Sequence, residues 1–157
     1  NGKNRYQLLD VDDLVEAVYL FCVRNNKSFN GAFNIGAKDF KSVKEDLQEV
    51  FKFAKSGSKI LPTPSVIVKK ALWFFEKIGL SPLYQWVYDT ADKDSFVSID
   101  KLSKTLNWEP KYSNSQALTK SYDWYLKHYN EIKSKKSGVT HTVGWKQGIL
   151  ALFKKFV

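Results

Sequence analysis

Two hydrophobic periods meet near the start of the chain. Residues 6–9 form a short apolar run suited to a strand. After it, Val11, Leu14, Val15, Val18, Phe21 and Cys22 recur at spacings of three and four, which predicts a helix with one continuous apolar face. Asp10 stands at the N-cap position, and Asp13 falls where a capping box places its acidic partner. Asp12 and Asp13 are further read as first-turn acids that complement the helix dipole. A strand turning directly into an acid-capped helix predicts an α/β architecture.

The same signals recur downstream. Residues 25–28 end the first helix, Asn30-Gly31 makes a turn, and residues 32–36 read as a short strand. Ser42 and Glu45 form a capping box for a second helix with Val43, Leu47, Val50, Phe51 and Ala54 on one face and Gly57 as its stop. Residues 59–61 suit a short extended piece. Thr63-Pro64 starts a third helix, residues 64–78, which carries Ile67, Val68, Ala71, Leu72, Phe74, Phe75 and Ile78 and ends at Gly79. It is apolar over more than half its circumference, so burial on two sides is expected. Ser81-Pro82 opens a helical turn with Leu83, Tyr84 and Trp86, residues 88–94 read as a loop, and residues 95–97 as a strand. Ile99, Leu102 and Leu106 mark a short helix limited by Pro110. A third capping box, Ser113 with Gln116, opens the longest helix, striped by Leu118, Tyr122, Tyr125, Tyr129 and Ile132. Residues 133–138 are a basic break. Residues 144–157 form an amphipathic tail with Trp145, Ile149, Leu152, Phe153 and Phe156 opposite lysines.

Composition narrows the classes. The 157 residues are 43% hydrophobic and 15% aromatic, which suits an ordered globular chain. No apolar run approaches the roughly 20 residues that span a bilayer. The chain contains no methionine and opens on Asn1, so it is expected to be a piece of a longer protein. The net charge of +9 comes almost entirely from scattered lysines, with Arg5 and Arg24 as the arginines, so no nucleic-acid partner is expected. Cys22, on the apolar face of the first helix, is expected to pack as a small hydrophobe in a reducing compartment. One cysteine with His128 and His141 makes no zinc site, and no metal is expected.

Three islands together resemble the C-terminal part of extended short-chain dehydrogenase/reductases, the NAD-dependent nucleotide-sugar epimerases and dehydratases. Leu9-Asp10-Val11-Asp12-Asp13-Leu14-Val15-Glu16-Ala17 is similar to the family's "(Y/H)VxDLAxA" segment. Gly31-Ala32-Phe33-Asn34-Ile35-Gly36 is similar to its "xxYNxG" strand. Residues 99–111, Ile-Asp-Lys-Leu-Ser-Lys-Thr-Leu-Asn-Trp-Glu-Pro-Lys, resemble its "D(x)SKAxxxLGWxPK" segment.

The resemblance covers roughly residues 5–130. It implies a mostly helical portion of a Rossmann-type α/β protein with a few short strands. Residues 1–40 would complete the nucleotide-binding sheet, 41–132 would form the substrate-binding cap, and 133–157 would be a basic linker and amphipathic helix.

By the same resemblance, the glycine-rich fingerprint and catalytic Tyr-x-x-x-Lys lie outside this chain, so no catalytic residue is expected in it. The match at Tyr129 and Lys133 reads as a helix stripe and a basic last turn. NAD or NADP would serve the parent protein, with neither bound to this chain alone. The substrate would be a sugar or nucleotide-sugar, contacted by Arg5, Tyr6, Gln7, Tyr88, Asp92 and Lys93. The arginine fork expected in the 88–94 loop is missing, and three acids stand there instead, which suits a hydroxylated substrate as well as a diphosphate. The remaining expected partners are a missing N-terminal Rossmann part, a second copy of the chain, and a membrane surface met through 144–157. The expected compartment is cytoplasmic, with a peripheral place at a membrane as an option. The alternative reading is a non-catalytic interaction module on the same scaffold.

Overall fold

Asp10 turns an extended segment into a helix. Its carboxylate accepts the N–H of Asp12 at 2.9 Å, and its carbonyl accepts that of Leu14 at 3.1 Å. The helix that follows is Val11–Arg24 (α1). A computed structural model describes residues 2–24, 29–80 and 83–134. Among these, the further helices are Val43–Ala54 (α2), Ser65–Lys77 (α3), Gln85–Thr90 (α4), Asp100–Leu106 (α5), Asn114–Lys127 (α6) and Tyr129–Ser134 (α7).

The chain divides into two compact units. Of the described residues, the first comprises those within 2–60 and 94–122, and the second those within 61–93 and 123–134.

In the first unit, α1 lies against α5. The core is Ala17, Leu102, Leu106 and Trp108, with Leu20, Phe21, Phe29, Phe33 and Ile35 packed around it. The Phe21 ring meets Phe29 edge-on at 5.2 Å and Phe33 at 5.0 Å. The capping box of α2 forms as its sequence predicts, with Glu45 N–H bonded to Ser42 Oγ and Ser42 N–H to Glu45 Oε2. The box at Ser113 and Gln116 forms likewise. The stop of α2 differs: Lys55, not Gly57, takes the left-handed C-cap conformation.

The α/β expectation is overturned. Among the described residues no sheet forms; the β pairing amounts to isolated bridges, Arg5 with Ser42 and Tyr6 with Ser95. The physical reason is that side chains occupy the places a ladder would use. Leu8 N–H bonds Asn114 Oδ1 at 2.9 Å, and Val97 N–H bonds Gln7 Oε1 at 2.8 Å. Gln7 Nε2 donates to the Ala37 carbonyl at 2.7 Å. The segments at 6–9 and 95–97 are held by a few main-chain bonds, Gln7 N–H to Ser95 O, Ser95 N–H to Arg5 O and Ala37 N–H to Leu8 O, too few for a ladder.

Other expectations also change. Of the expected stripe, Val11, Leu14, Val15, Val18 and Cys22 are exposed and Phe21 alone packs on the core, which otherwise takes the side with Asp13, Ala17 and Leu20. Cys22 therefore does not pack as a buried hydrophobe. In the second unit, α3 begins at Ser65 behind an N-cap Pro64 and has no buried residue, so it is not covered on two sides. Gly79, at φ +70°, does end it as expected. The 88–94 segment is not wholly a loop, because α4 runs to Thr90. The helix opened by Ser113 ends at Lys127, and Tyr129 and Ile132 lie in α7. Residues 25–28, the Ser81-Pro82 signal, His141 and the tail 144–157 lie outside the described residues.

Candidate functional site

Long-range polar bonds concentrate where two of the three sequence islands meet, in the first unit. Asp13 is 1% exposed. Its two carboxylate oxygens accept the N–H groups of Lys111 at 2.9 Å and Tyr112 at 3.1 Å. Its position in the first turn suggested a capping box; it is instead an anchor for the backbone that follows Pro110. One turn along α1, Glu16 accepts Trp108 Nε1–H at 3.0 Å and the Lys111 ammonium at 2.8 Å. Those donors, Lys111 first, hold its carboxyl below the usual carboxylate range. The middle island joins the same unit through the packing of Phe33 and Ile35 on the core.

A second network is centred on Asn114, which is 2% exposed. Its Oδ1 accepts Leu8 N–H, and its Nδ2 donates to the Tyr6 carbonyl and, at 3.0 Å, to the buried Asp46 carboxylate. Lys120 bridges Asp10 and Asp12 and lies over the Tyr112 ring at 4.3 Å. The pair of carboxylates raises the Lys120 pKa. An open cleft of about 510 Å³ lies beside these groups, lined by Asp12, Asp13, Val15, Glu16, Tyr19, Lys111 and Tyr112.

The six residues expected to face substrate divide between the units. In the first unit, Arg5 clasps Asp94 through Nε at 3.3 Å and Nη2 at 3.0 Å, and its backbone N–H bonds the same carboxylate at 2.7 Å. The Arg5 backbone N–H and then its guanidinium hold Asp94 below the usual carboxylate range. The guanidinium also stacks on Phe96 at 4.4 Å. Tyr6 projects into solvent, 51% exposed. Gln7 is consumed as a bridge between Ala37 and Val97, and its side chain crowds Gly36.

In the second unit, Tyr88 is buried and its hydroxyl donates to Glu76 at 2.6 Å. Burial first, then that bond, pushes its pKa up to about 12. Asp92 pairs with Lys69 at 2.6 Å, and the same ammonium donates to the Asp89 carbonyl at 3.2 Å. That hydrogen bond to Lys69 is the main cause of the lowered Asp92 pKa. The Lys93 N–H closes the turn on the Thr90 carbonyl. Arg5, Gln7, Tyr88 and Asp92 thus hold the protein's own structure together.

Sequence reasoning missed the anchoring roles of Asp13, Glu16, Asp46 and Asn114. Their partners lie up to about a hundred residues away, and no local period marks them. Among the described residues no group of three or more His, Cys, Asp or Glu is placed to hold a metal ion. At the Tyr129–Lys133 match, the ammonium lies 5.7 Å from the tyrosine ring, and the tyrosine packs edge-on against Tyr125.

The chain is 35% identical over 151 residues to a protein of Sinorhizobium fredii (strain NBRC 101917 / NGR234) named "Uncharacterized protein y4nG". The alignment takes 96% of this chain and 37% of that protein, so the chain spans well under half the length of the curated relative it matches. No family model matches the chain. No solved structure matches it either.

Proposed function

We propose that the chain is the substrate-side part of an NAD(P)-dependent epimerase/dehydratase-like enzyme acting on a sugar or nucleotide-sugar. The dinucleotide site and the catalytic tyrosine and lysine belong, in this proposal, to a separate Rossmann part that this chain does not supply. The observation that carries the reading is the convergence of the motif-bearing segments. Asp13 and Glu16 of the first island clasp Trp108 and Lys111 of the third, and Phe33 and Ile35 of the second pack on the same core. The exposed apolar stripe of α1 supports it as well, since a further protein layer would cover Val11, Val15 and Val18. The cleft beside Tyr19 and Tyr112 offers carboxylates and aromatic rings, a combination suited to a hydroxylated ring. Because Asp94 already neutralises Arg5, a diphosphate gains little from this surface. In this proposal the protein works in the cytoplasm.

A second reading, a non-catalytic interaction module on the same scaffold, is favoured by the internal use of Arg5, Gln7, Tyr88 and Asp92.

Thermal-shift titration with NAD⁺, NADP⁺, free sugars and UDP-, GDP- and dTDP-sugars tests the first reading. A ligand at a hundred times its Kd adds about 2.7 kcal/mol of stability, a readable shift. The expected result is a response to a sugar and none to a dinucleotide. A clear shift with NAD⁺ would place a cofactor site in this chain and sink the proposal. Silence across all sugars, with a parent reading frame lacking a glycine-rich unit and a Tyr-x-x-x-Lys, selects the interaction module.

A further inference from the structure

Helix α3 turns a mixed side inward, where Leu72 and Phe75 are half-buried beside Lys69 and Glu76. Its polar residues Lys69 and Glu76 turn toward α4, where the ammonium holds Asp92 and the Asp89 carbonyl, and the carboxylate accepts the Tyr88 hydroxyl. The outward side presents Val66, Ile67, Trp73 and Phe74, each at least half exposed, interleaved with Lys70 and Lys77. The helix's single acid is the inward Glu76, so no carboxylate of α3 lies on that face. Lys77 sits over the Trp73 ring at 5.9 Å. Further along the same unit, Tyr84 is 70% and Trp86 72% exposed.

We infer that this outward face of α3 is a docking surface for an anionic lipid bilayer. Two observations select that occupant. Trp and Tyr favour the boundary between acyl chains and water, where the ring is buried and its polar atom stays wet. Lysines set among apolar residues lay their methylenes on the hydrocarbon and lift their ammonium groups to the headgroups. With both charges positive and no acid on the helix face, the complement is a negatively charged surface. A second copy is the poorer fit, since two-fold pairing of this face would set Lys70 and Lys77 against like charges. Among the described residues no helix is long and apolar enough to cross a membrane, so the contact lies in the plane of the interface.

The test is sedimentation of the 157-residue chain with vesicles of phosphatidylcholine alone and of phosphatidylcholine with one quarter phosphatidylglycerol, followed also by tryptophan emission. Binding to the anionic vesicles with a blue shift is expected, weakening in high salt. Ile67→Glu with Phe74→Glu should reduce the partition coefficient at least tenfold, as should Lys70→Glu with Lys77→Glu. All four positions are exposed, and circular dichroism checks that each variant folds; the lysine pair carries the test if the apolar pair does not. A tail variant, Trp145→Glu with Phe153→Glu, should stay within threefold of wild type. The inference is overturned if wild type ignores anionic vesicles, if the α3 variants bind as wild type does, or if the tail variant alone abolishes binding. It is equally overturned if the face holds a dimer that Phe74→Glu dissolves, with no lipid bound.

Discussion

The two units of this chain place polarity oppositely. In the first unit, a small apolar core is surrounded by buried polar side chains, Asp10, Asp13, Asp46, Asn114 and Ser115. Among the described residues, no buried side-chain nitrogen or oxygen lacks a partner. In the second, α3 and α4 meet through the polar pairs Tyr88–Glu76 and Lys69–Asp92, while Val66, Ile67, Trp73, Phe74 and Trp86 face outward. The difference teaches that an apolar stripe marks a surface to be covered without saying what covers it. Fully bonded polar groups can close an interior as effectively as aliphatic ones.

The sharpest break of the comparison is Leu106→Ala, at a side chain with no exposure. It should cost about 2–5 kcal/mol by urea denaturation followed by far-ultraviolet circular dichroism, while Phe74→Ala on α3 should change stability by less than about 0.5 kcal/mol. Equal effects would dissolve the distinction between the units. Next is Asp13→Ala, which strands the Lys111 and Tyr112 N–H groups in the interior and should cost about 2–3 kcal/mol.

Smaller is Gly36→Ala. The new Cβ would stand 2.6 Å from Gln7 Cδ. Gln7 cannot swing away without releasing Ala37 or Val97, so a loss of about 1–2 kcal/mol is expected. Gly36→Ala with Gln7→Ala removes the clash, and the cycle should show coupling.

The finest test concerns the second unit. The folded-state pKa of Tyr88 is raised from 10.0 to about 12. Folding therefore retains that proton, and the stabilisation is complete below pH 10 and fades as the pH climbs toward 12. Tyrosinate absorbance should show a late-titrating component that Tyr88→Phe removes; its absence in wild type would deny the buried bond to Glu76.

Much of this was legible locally. Asp10 as a cap, the capping boxes at Ser42 and Ser113, the stop at Gly79 and the Ile99–Leu102–Leu106 face all follow from neighbours within a turn or two. What was not legible depends on distant partners. The stripe at Val11, Leu14, Val15 and Val18 is regular, yet the core takes the face with Asp13 and Ala17, since Asp13 finds its donors after Pro110 and Ala17 meets Leu102 and Leu106. Short apolar runs at 6–9 and 95–97 suggested a sheet, and the side chains of Gln7 and Asn114 fill the bonding positions instead. At the candidate site, residue type alone could not separate a substrate-facing Gln7 or Tyr88 from one that holds its own backbone in place.

Asn114 carries a consequence for the order of assembly. It joins Leu8 and Tyr6 to Asp46 across 106, 108 and 68 residues of chain. Contacts so remote must close large loops before they return any energy, which slows folding. On the ribosome, the Leu8 N–H and the Tyr6 carbonyl must therefore wait for their Asn114 partner until the start of α6 has left the exit tunnel, while Leu8 can already meet Ala37. A chain halted before Asn114 emerges can form the Leu8–Ala37 and Asn4–Val43 bonds, but it lacks the bridge from Leu8 and Tyr6 to Asp46.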